Sequence, residues 1–372
     1  MTLALAVVFA AYAVAMAALA VRTLVARPTA RVERDESLPT IAVVVAARDE
    51  EACIGRCLDA LLALDYPPDK LALVVADDHS EDGTADVVRR YAGARREDQP
   101  AVRYLRVPDP VDHVRGKALA LHTAFEAADA DLVLITDADC APVPTWARTL
   151  ADVFADETVG VACGVARIEP RPGRFFDRVQ ELDWSLLLAA VSAAAEARMP
   201  ASGMGNSMGV RAAAYRHVGG YPALPFSLTE DFTLVRAVAD DSPWAVRFPP
   251  LPGSVVWTLP AEGVAATYRQ RRRWARGGIG GDPFVLPLYG LLFAVHALIV
   301  AGLVVAPLAG LAAFAAKTAS DGALLAAMAR RVGGRVRLLP LVATAAFVTG
   351  YMVTLPFVLA LRPRVGWKGR RH

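Results

Sequence analysis

From Pro283 to Ala316 the chain carries no Asp, Glu, Lys or Arg. That is about 34 positions, too long for one upright helical span of roughly 20 residues. Pro307 falls where a tight turn separates two spans, the second continuing through Lys317 and Asp321 towards Arg330 and Arg331. A further apolar run covers Leu338 to Leu361. Leu3 to Val21 is uncharged over about 19 positions, enough to cross a bilayer core. The chain is 55% hydrophobic and 21% charged. The apolar residues collect at its two ends, and the middle has ordinary soluble composition. The predicted organisation is an N-terminal transmembrane anchor over 1–25, a soluble domain over 38–280, transmembrane or interfacial helices over 283–362, and a basic tail over 363–372.

A cleaved signal peptide is the rival for the first segment, but it wants a basic start and a shorter apolar core. Here no Lys or Arg precedes the apolar run, and Arg22, Arg27, Arg31 and Arg34 come after it. The positive-inside rule then predicts a retained anchor and a cytoplasmic central domain, in a multi-pass protein of the cell (inner) membrane. Three full C-terminal spans would put the basic tail outside, against the same rule. A re-entrant or interfacial segment would keep it inside, and a cytoplasmic tail is the expectation. The formal net charge is only +2, so no global basic field argues for nucleic acid. The four cysteines are Cys53, Cys57, Cys140 and Cys163. Cys53 and Cys57 stand i, i+4 on a predicted helix with no His-rich pattern beside them. Free thiols in a reducing compartment are expected, rather than zinc.

Between the ends, apolar runs alternate with helical spacing. Ile41–Ala46, Leu71–Ala76, Val102–Val107 and Leu132–Ile135 read as strands, and Ala52–Leu64, Ala85–Tyr91 and Ala118–Ala127 as helices. Such alternation implies parallel βαβ units and an α/β fold. Beyond Cys140 the pattern predicts a strand over Val159–Val165, one long helix over Phe175–Ala197, and a short helix over Val210–Val218. Next come a turn at Gly219-Gly220-Tyr221-Pro222 and a helix opened by Thr229-Glu230-Asp231. Val246, Phe248, Val255 and Val256 suggest further strands.

The strand Leu132-Val133-Leu134-Ile135 runs straight into Asp137-Ala138-Asp139. A strand hydrophobic on both faces belongs to a mostly parallel sheet, which places ligands at its carboxyl ends. Two carboxylates at i, i+2 there can converge on one hard cation; the alternative is a solvated acidic turn. Ala46-Ala47-Arg48-Asp49-Glu50-Glu51 and Asp77-Asp78-His79-Ser80 stand after two neighbouring strands, where a nucleotide would sit. Gly116-Lys117 opens the next helix, and a lysine near a helix start suits a phosphate. Gln270-Arg271-Arg272-Arg273-Trp274 lies shortly before the long apolar stretch. Singly, each has a plain alternative: an acidic turn can cap a helix, an Arg run can face solvent or lipid, and a Trp can be an interfacial anchor.

In their order and spacing these motifs resemble the membrane-bound members of glycosyltransferase family 2, with a GT-A domain of the Rossmann-like nucleotide-diphospho-sugar transferase type. The resemblance covers almost the whole chain, including the Trp367-Lys368-Gly369-Arg370 ending. It implies an α/β catalytic domain flanked by transmembrane helices. It implies that Ala47, Arg48, Asp49 and Glu50 border the nucleotide, although many members read Pro-x-x-Asn-Glu where this chain has Ala46 and Asp49. Asp78, with Asp77 beside it, matches the aspartate that contacts uridine, and Lys117 a lysine near the donor. Asp137 and Asp139 match the pair that binds a divalent cation, Mg²⁺ or Mn²⁺, with Asp139 the more direct ligand. Asp231, with Glu230 in the same triplet, matches the catalytic base. Gln270, Arg273 and Trp274 match the motif that cradles the donor diphosphate. Gly203, Gly205 and Asn206 are expected on the acceptor side, or as a structural turn.

The chemistry agrees with those roles. Breaking a sugar–phosphate bond builds charge on a diphosphate, which a cation and arginines stabilise. One carboxylate base and no carboxylate nucleophile predict single displacement with inversion. The expected partners are a nucleotide-sugar donor, a membrane lipid acceptor and the membrane itself. A processive polysaccharide synthase shares the Q-x-x-R-W motif, but few spans offer little to line a secretion channel. A non-catalytic nucleotide-binding scaffold is the other alternative, and the intact motifs speak against it.

Overall fold

The structure is a computed structural model that describes residues 2–26, 35–94, 98–110, 113–199, 202–281 and 285–361, with the pairs 366–367 and 370–371. Arg27, Arg31, Arg34 and most of the 363–372 tail lie outside the described residues. Contacts divide the chain into two units, each discontinuous in sequence. One comprises Arg27–Arg167 and Ala195–Leu259, the other Met1–Ala26, Ile168–Ala194 and Pro260–His372. The first helix, α1 (Thr2–Val25), belongs to the second of these.

The first unit is built on β1 (Ile41–Ala47), α2 (Ile54–Leu62), β2 (Leu71–Asp77), α3 (Thr84–Gly93), β3 (Ala101–Arg106), α4 (Lys117–Ala127) and β4 (Leu132–Asp137). Then come β5 (Cys140–Pro142), α5 (Trp146–Phe154), β6 (Val159–Cys163) and β7 (Val165–Ile168). After α6 (Phe175–Ala195) the chain adds β8 (Met208–Arg211), α7 (Ala212–His217), α8 (Gly220–Ala223), α9 (Glu230–Asp241), β9 (Ala245–Arg247) and β10 (Val255–Thr258). The large sheet has the order β3-β2-β1-β4-β8-β6-β9, and β5, β10 and β7 form a second, smaller one.

The β-branched run of β1 is buried on both faces, as parallel strands covered by helices are. Its register with both neighbours aligns the strand ends. Ala47 pairs with Asp77 of β2, and Ala46 with Asp137 of β4, so three carboxyl ends finish at one level. β8 runs antiparallel to β4, with Ile135 opposite Met208, which brings the segment before β8 to the same edge. The core beneath includes Ile54, Leu58, Leu61, Leu73, Leu134 and Trp146. Trp146 Nε1–H donates to Ser207 Oγ at 3.0 Å, so its buried polar edge is satisfied.

Four details depart from the expected elements. Val210 and Arg211 complete a strand, and the helix begins only at Ala212. β-branched Val210 is fully buried between β4 and β6, where sheet pairing overrides a short helical pattern. The run expected over Val159–Val165 is broken at Gly164, whose N–H donates to the Ser207 carbonyl at 2.7 Å. The expected turn at Gly219–Pro222 contains a single helical turn, α8, while Phe248 falls beyond the end of β9.

The second unit is helical. With α1 and α6 it holds α10 (Gly263–Gly281), α11 (Val285–Val305), α12 (Pro307–Val332) and α13 (Leu338–Leu361). Pro307 separates α11 from α12, as expected, because its ring fits the first turn of a helix and not its interior. Ala6–Val25 and Leu338–Leu361 are each long and apolar enough to cross a membrane, and Tyr289–Val305 is a shorter apolar helix. Large apolar side chains stand exposed along them, among them Val14, Val21, Leu338 and Leu361. The two charges in the middle of α12 face inward: Lys317 Nζ lies 2.6 Å from Asp321 Oδ2, and Tyr12 of α1 donates to Asp321 Oδ1 at 2.6 Å.

Candidate active site

The loops after β1 and β2 are laced together before any ligand is considered. Asp49 N–H donates to Ser80 Oγ at 3.0 Å, and Asp49 Oδ1 accepts from Glu81 N–H at 2.9 Å. Glu50 N–H donates to Thr84 Oγ1 and Glu51 N–H to Asp82 Oδ2. Asp49 and His79 hold φ of 52 and 61, the left-handed region that Asp and His tolerate better than most residues. Such geometry persists where surroundings over-determine it, which is common at ligand sites. Asp77 is consumed in this scaffold: Oδ1 accepts from Ser80 N–H at 2.9 Å and Oδ2 from the Tyr104 hydroxyl at 2.8 Å. Asp78 is 3% exposed, with Arg48 Nη1 at 3.6 Å and His79 Nδ1 at 3.2 Å.

At the end of β4, Asp137 and Asp139 come together with Cys140, one ligand atom from each lying within 4.8 Å of the others. Cys140 Sγ–H points at Asp139 Oδ1 at 3.3 Å, and Arg56 Nη1 donates to the Asp139 carbonyl at 3.2 Å. Burial, with the Asp137 carboxylate next, pushes Asp139 up to about 6. Burial and the same two carboxylates push the Cys140 thiol well above its ordinary value, so it stays a neutral donor. The two carboxylates of this group are hard oxygen ligands that fit Mg²⁺ or Mn²⁺.

Lys117 ties this pair to a second one. Gly116, at φ 62 and ψ −138, adopts a backbone open to glycine and starts α4 so that Lys117 occupies its first turn. Lys117 Nζ stands 2.7 Å from Asp137 Oδ1 and 3.1 Å from Glu230 Oε1. Burial alone would lower the ammonium; Asp137, Glu230 and Asp231 overcome it and hold the group protonated, above its usual range. Glu230 is raised by burial, against the pull of Lys117 and with Asp231 adding to the rise. Asp231 Oδ2 accepts from Gly205 N–H at 2.8 Å, and Oδ1 from Phe232 N–H at 2.8 Å. A Cβ on Gly203 would come within 2.5 Å of the Asp231 backbone, so that loop must be glycine to lie on the start of α9. The Asn206 carbonyl accepts from Thr136 Oγ1 at 3.0 Å, and its buried Oδ1 has no partner among the described residues.

The first unit thus brings Lys117, Asp137, Asp139, Glu230, Asp231 and Gly205 to one place, with Gly203 packed beneath Asp231 and Asn206 beside β4. Ala47, Arg48, Asp49, Glu50, Asp77 and Asp78 line the neighbouring strand ends. Gln270, Arg273 and Trp274 lie on α10 in the helical unit, each half-buried. Between Gln270 and Arg273 the sequence reading missed Arg271. It is 6% exposed, donates through Nε to Asp183 Oδ2 at 2.8 Å, and stacks 4.3 Å from the Trp274 ring. Tyr351 donates to the other oxygen of Asp183 at 3.0 Å, and Trp184 packs 4.8 Å from Trp274. Arg56, Tyr104 and Asp183 were also missed, because no local motif announces them.

A family model described as "Glycosyltransferase like family 2" matches residues 39–277. A probable glycosyltransferase of Bacillus subtilis, YdaM, is 26% identical over 66% of this chain and 56% of its own length. A beta-monoglucosyldiacylglycerol synthase of Synechocystis is 28% identical over 64% of this chain and 48% of its own. The chain spans about half the length of these curated relatives. Among solved structures, a mannosyltransferase of Pyrobaculum calidifontis in complex with GDP-Man and Mn²⁺ is similar with a TM-score of 0.59. The match covers 98% of this chain and 99% of that one at 22% identity, and shows a shared GT-A fold. With a family match over more than half of its residues and the fold to go with it, the chain belongs to glycosyltransferase-like family 2.

Proposed function

We propose that this chain is an inverting glycosyltransferase. It moves a sugar from a nucleotide-sugar, a UDP-sugar by its Asp78 motif, to a membrane-embedded lipid at the cytoplasmic face. The observation that carries this is the Lys117 ammonium, which joins Asp137 of the Asp-x-Asp pair to Glu230, next to Asp231. The names of two relatives support parts of it: one is a glucosyldiacylglycerol synthase, and the solved mannosyltransferase holds GDP-Man and Mn²⁺.

Residues 38–280 are the catalytic part, 1–25 the anchor, 283–362 the membrane or interfacial helices, and 363–372 a basic cytoplasmic tail. Arg48, Asp49, Glu50 and Asp78, with the backbone at Ala47, border the nucleotide. Asp77 acts there through the loop it holds. Asp137 and Asp139 would hold a divalent cation, which when bound supplies charge neutralisation at the diphosphate. Lys117 lies close enough to Asp137 to add its charge to the β-phosphate side, and Gln270, Arg273 and Trp274 serve the diphosphate from α10. Asp231 takes the proton of the acceptor hydroxyl as its oxygen bonds to the sugar C1. The C1–phosphate bond breaks, and the nucleoside diphosphate leaves with the electron pair. Glu230 keeps Lys117 and Asp231 in register, and Gly203, Gly205 and Asn206 shape the acceptor side.

The test incubates membranes containing the chain with radiolabelled UDP- and GDP-sugars and Mn²⁺, then counts organic-soluble and polymer fractions separately. Label in a glycolipid of one or a few sugars is expected. Label mainly in long water-soluble polymer would favour a processive synthase, and nucleotide binding without turnover would favour a scaffold.

A further inference from the structure

Arg271 commits all three nitrogens of its fork inside the helical unit. Nε lies 2.8 Å and Nη2 2.6 Å from Asp183 Oδ2 of α6, and Nη1 donates to Gln270 Oε1 at 3.0 Å. The guanidinium also lies 4.3 Å from the centre of the Trp274 ring. Arg271 and Asp183 are 6% and 4% exposed. The other Asp183 oxygen accepts from the Tyr351 hydroxyl of α13 at 3.0 Å. One turn earlier on α6, buried Gln180 exchanges two hydrogen bonds with Ala261, at 3.0 and 2.9 Å. The segment leading into α10 and the third turn of that helix are thus both tied to α6.

A buried ion pair is a poor way to hold helices together. Desolvation of the two ions offsets much of their attraction, and well-packed apolar side chains would join the same helices at least as well. What the pair adds is orientation. Arg carries only donors, so the Gln270 atom that faces it is the carbonyl oxygen. The amide NH2, a donor, is then the end turned away from Arg271, and a donor suits an anionic oxygen. The same guanidinium holds the Trp274 ring by its face. With its charge matched by Asp183, Arg271 is not itself a phosphate ligand. We propose that Asp183 and Arg271 are positioning residues for the transfer reaction. Asp183, with Tyr351 behind it, fixes Arg271, and Arg271 sets the Gln270 amide and the Trp274 ring for the donor diphosphate. The proposal rests on the reading that Gln270, Arg273 and Trp274 serve that diphosphate.

The full chain in detergent with Mn²⁺ is titrated with radiolabelled UDP and with UMP, and its melting temperature is measured in the same buffer. Asp183→Asn strands the Arg271 charge and should lower both the melting temperature and the UDP affinity. Combining it with Arg271→Met removes both charges, so the melting temperature should return close to that of the wild type. UDP affinity should stay about tenfold weaker, the scale of one lost hydrogen bond, and UMP affinity should change by less than about threefold. Arg271→Lys keeps the charge opposite Asp183 but has one nitrogen in place of three, so it should also weaken UDP about tenfold. Wild-type UDP affinity in the double variant or in Arg271→Lys would overturn the positioning role and leave the pair a brace between helices. Gln270→Ala and Trp274→Ala separate the two levels. If both bind UDP like the wild type, the donor role of the motif fails and the positioning role fails with it. If both bind UDP more weakly while the double variant does not, the positioning role alone is overturned.

Discussion

Lys117 and Lys317 each hold a carboxylate at close range, 2.7 Å to Asp137 Oδ1 and 2.6 Å to Asp321 Oδ2. Around Lys117 negative charge is in excess. Asp137 and Glu230 share one ammonium, Asp231 adds to its field, and Asp139 sits beside Asp137. The Lys117 and Asp137 side chains remain 18% and 34% exposed. Around Lys317 one ammonium meets one carboxylate, whose other oxygen is taken by Tyr12, and both side chains are closed off at 1% and 3% exposure. A surplus of partly open carboxylates is a receptacle for added positive charge. A matched pair among apolar helices fastens α1 to α12. Ion-pair distance does not separate the two; charge balance and access do.

Five substitutions, one of them combined with another, would break or sharpen that contrast. Asp231→Asn keeps size and much of the hydrogen bonding but cannot take a proton, so transfer should fall about 10²–10⁴-fold in a labelled-product assay. Asp139→Ala should lower turnover about 10²–10³-fold, the scale of losing one charge-stabilising contact; unchanged activity at saturating Mn²⁺ would remove Asp139 from the metal site. Lys317→Met, by contrast, should leave turnover per folded molecule alone. It should destabilise the helical unit by about 3–5 kcal/mol by stranding Asp321, read as a lower melting temperature in detergent. Adding Asp321→Asn should restore most of that loss; a double variant no more stable than the single one would contradict the matched-pair account. The smallest effect belongs to Tyr12→Phe, which should cost about 1.5–3 kcal/mol for a hydrogen bond to a charged group and leave catalysis untouched.

Much of the fold and site is legible in the residues alone, for a physical reason. The strands β1, β2 and β4 are continuous apolar runs, and such runs end in loops at the carboxyl edge, so pattern alone places Asp78, Asp137 and Asp139. The charge-free helices announce themselves by length. What pattern misses depends on register between distant segments. Lys117 and Glu230 meet only because β8 lies antiparallel beside β4 and carries the Gly205 loop to Asp231. Arg271 reads as one of several arginines in a row, and its partner Asp183 is far off in sequence. Val210 sits in a helical-looking segment, and pairing on both sides makes it a strand.

The central claim is that the Asp137–Asp139 pair serves the donor while Asp231 serves the acceptor proton. Binding of the radiolabelled sugar nucleotide by the wild-type chain, Asp139→Ala and Asp231→Asn, with and without Mn²⁺, measured beside transfer, tests it most directly. Asp231→Asn should bind donor within about threefold of wild type and transfer almost none, and Asp139→Ala should lose the Mn²⁺-dependent part of donor binding. If Asp231→Asn instead loses donor binding along with transfer, and Asp139→Ala keeps both, the two roles are wrongly assigned.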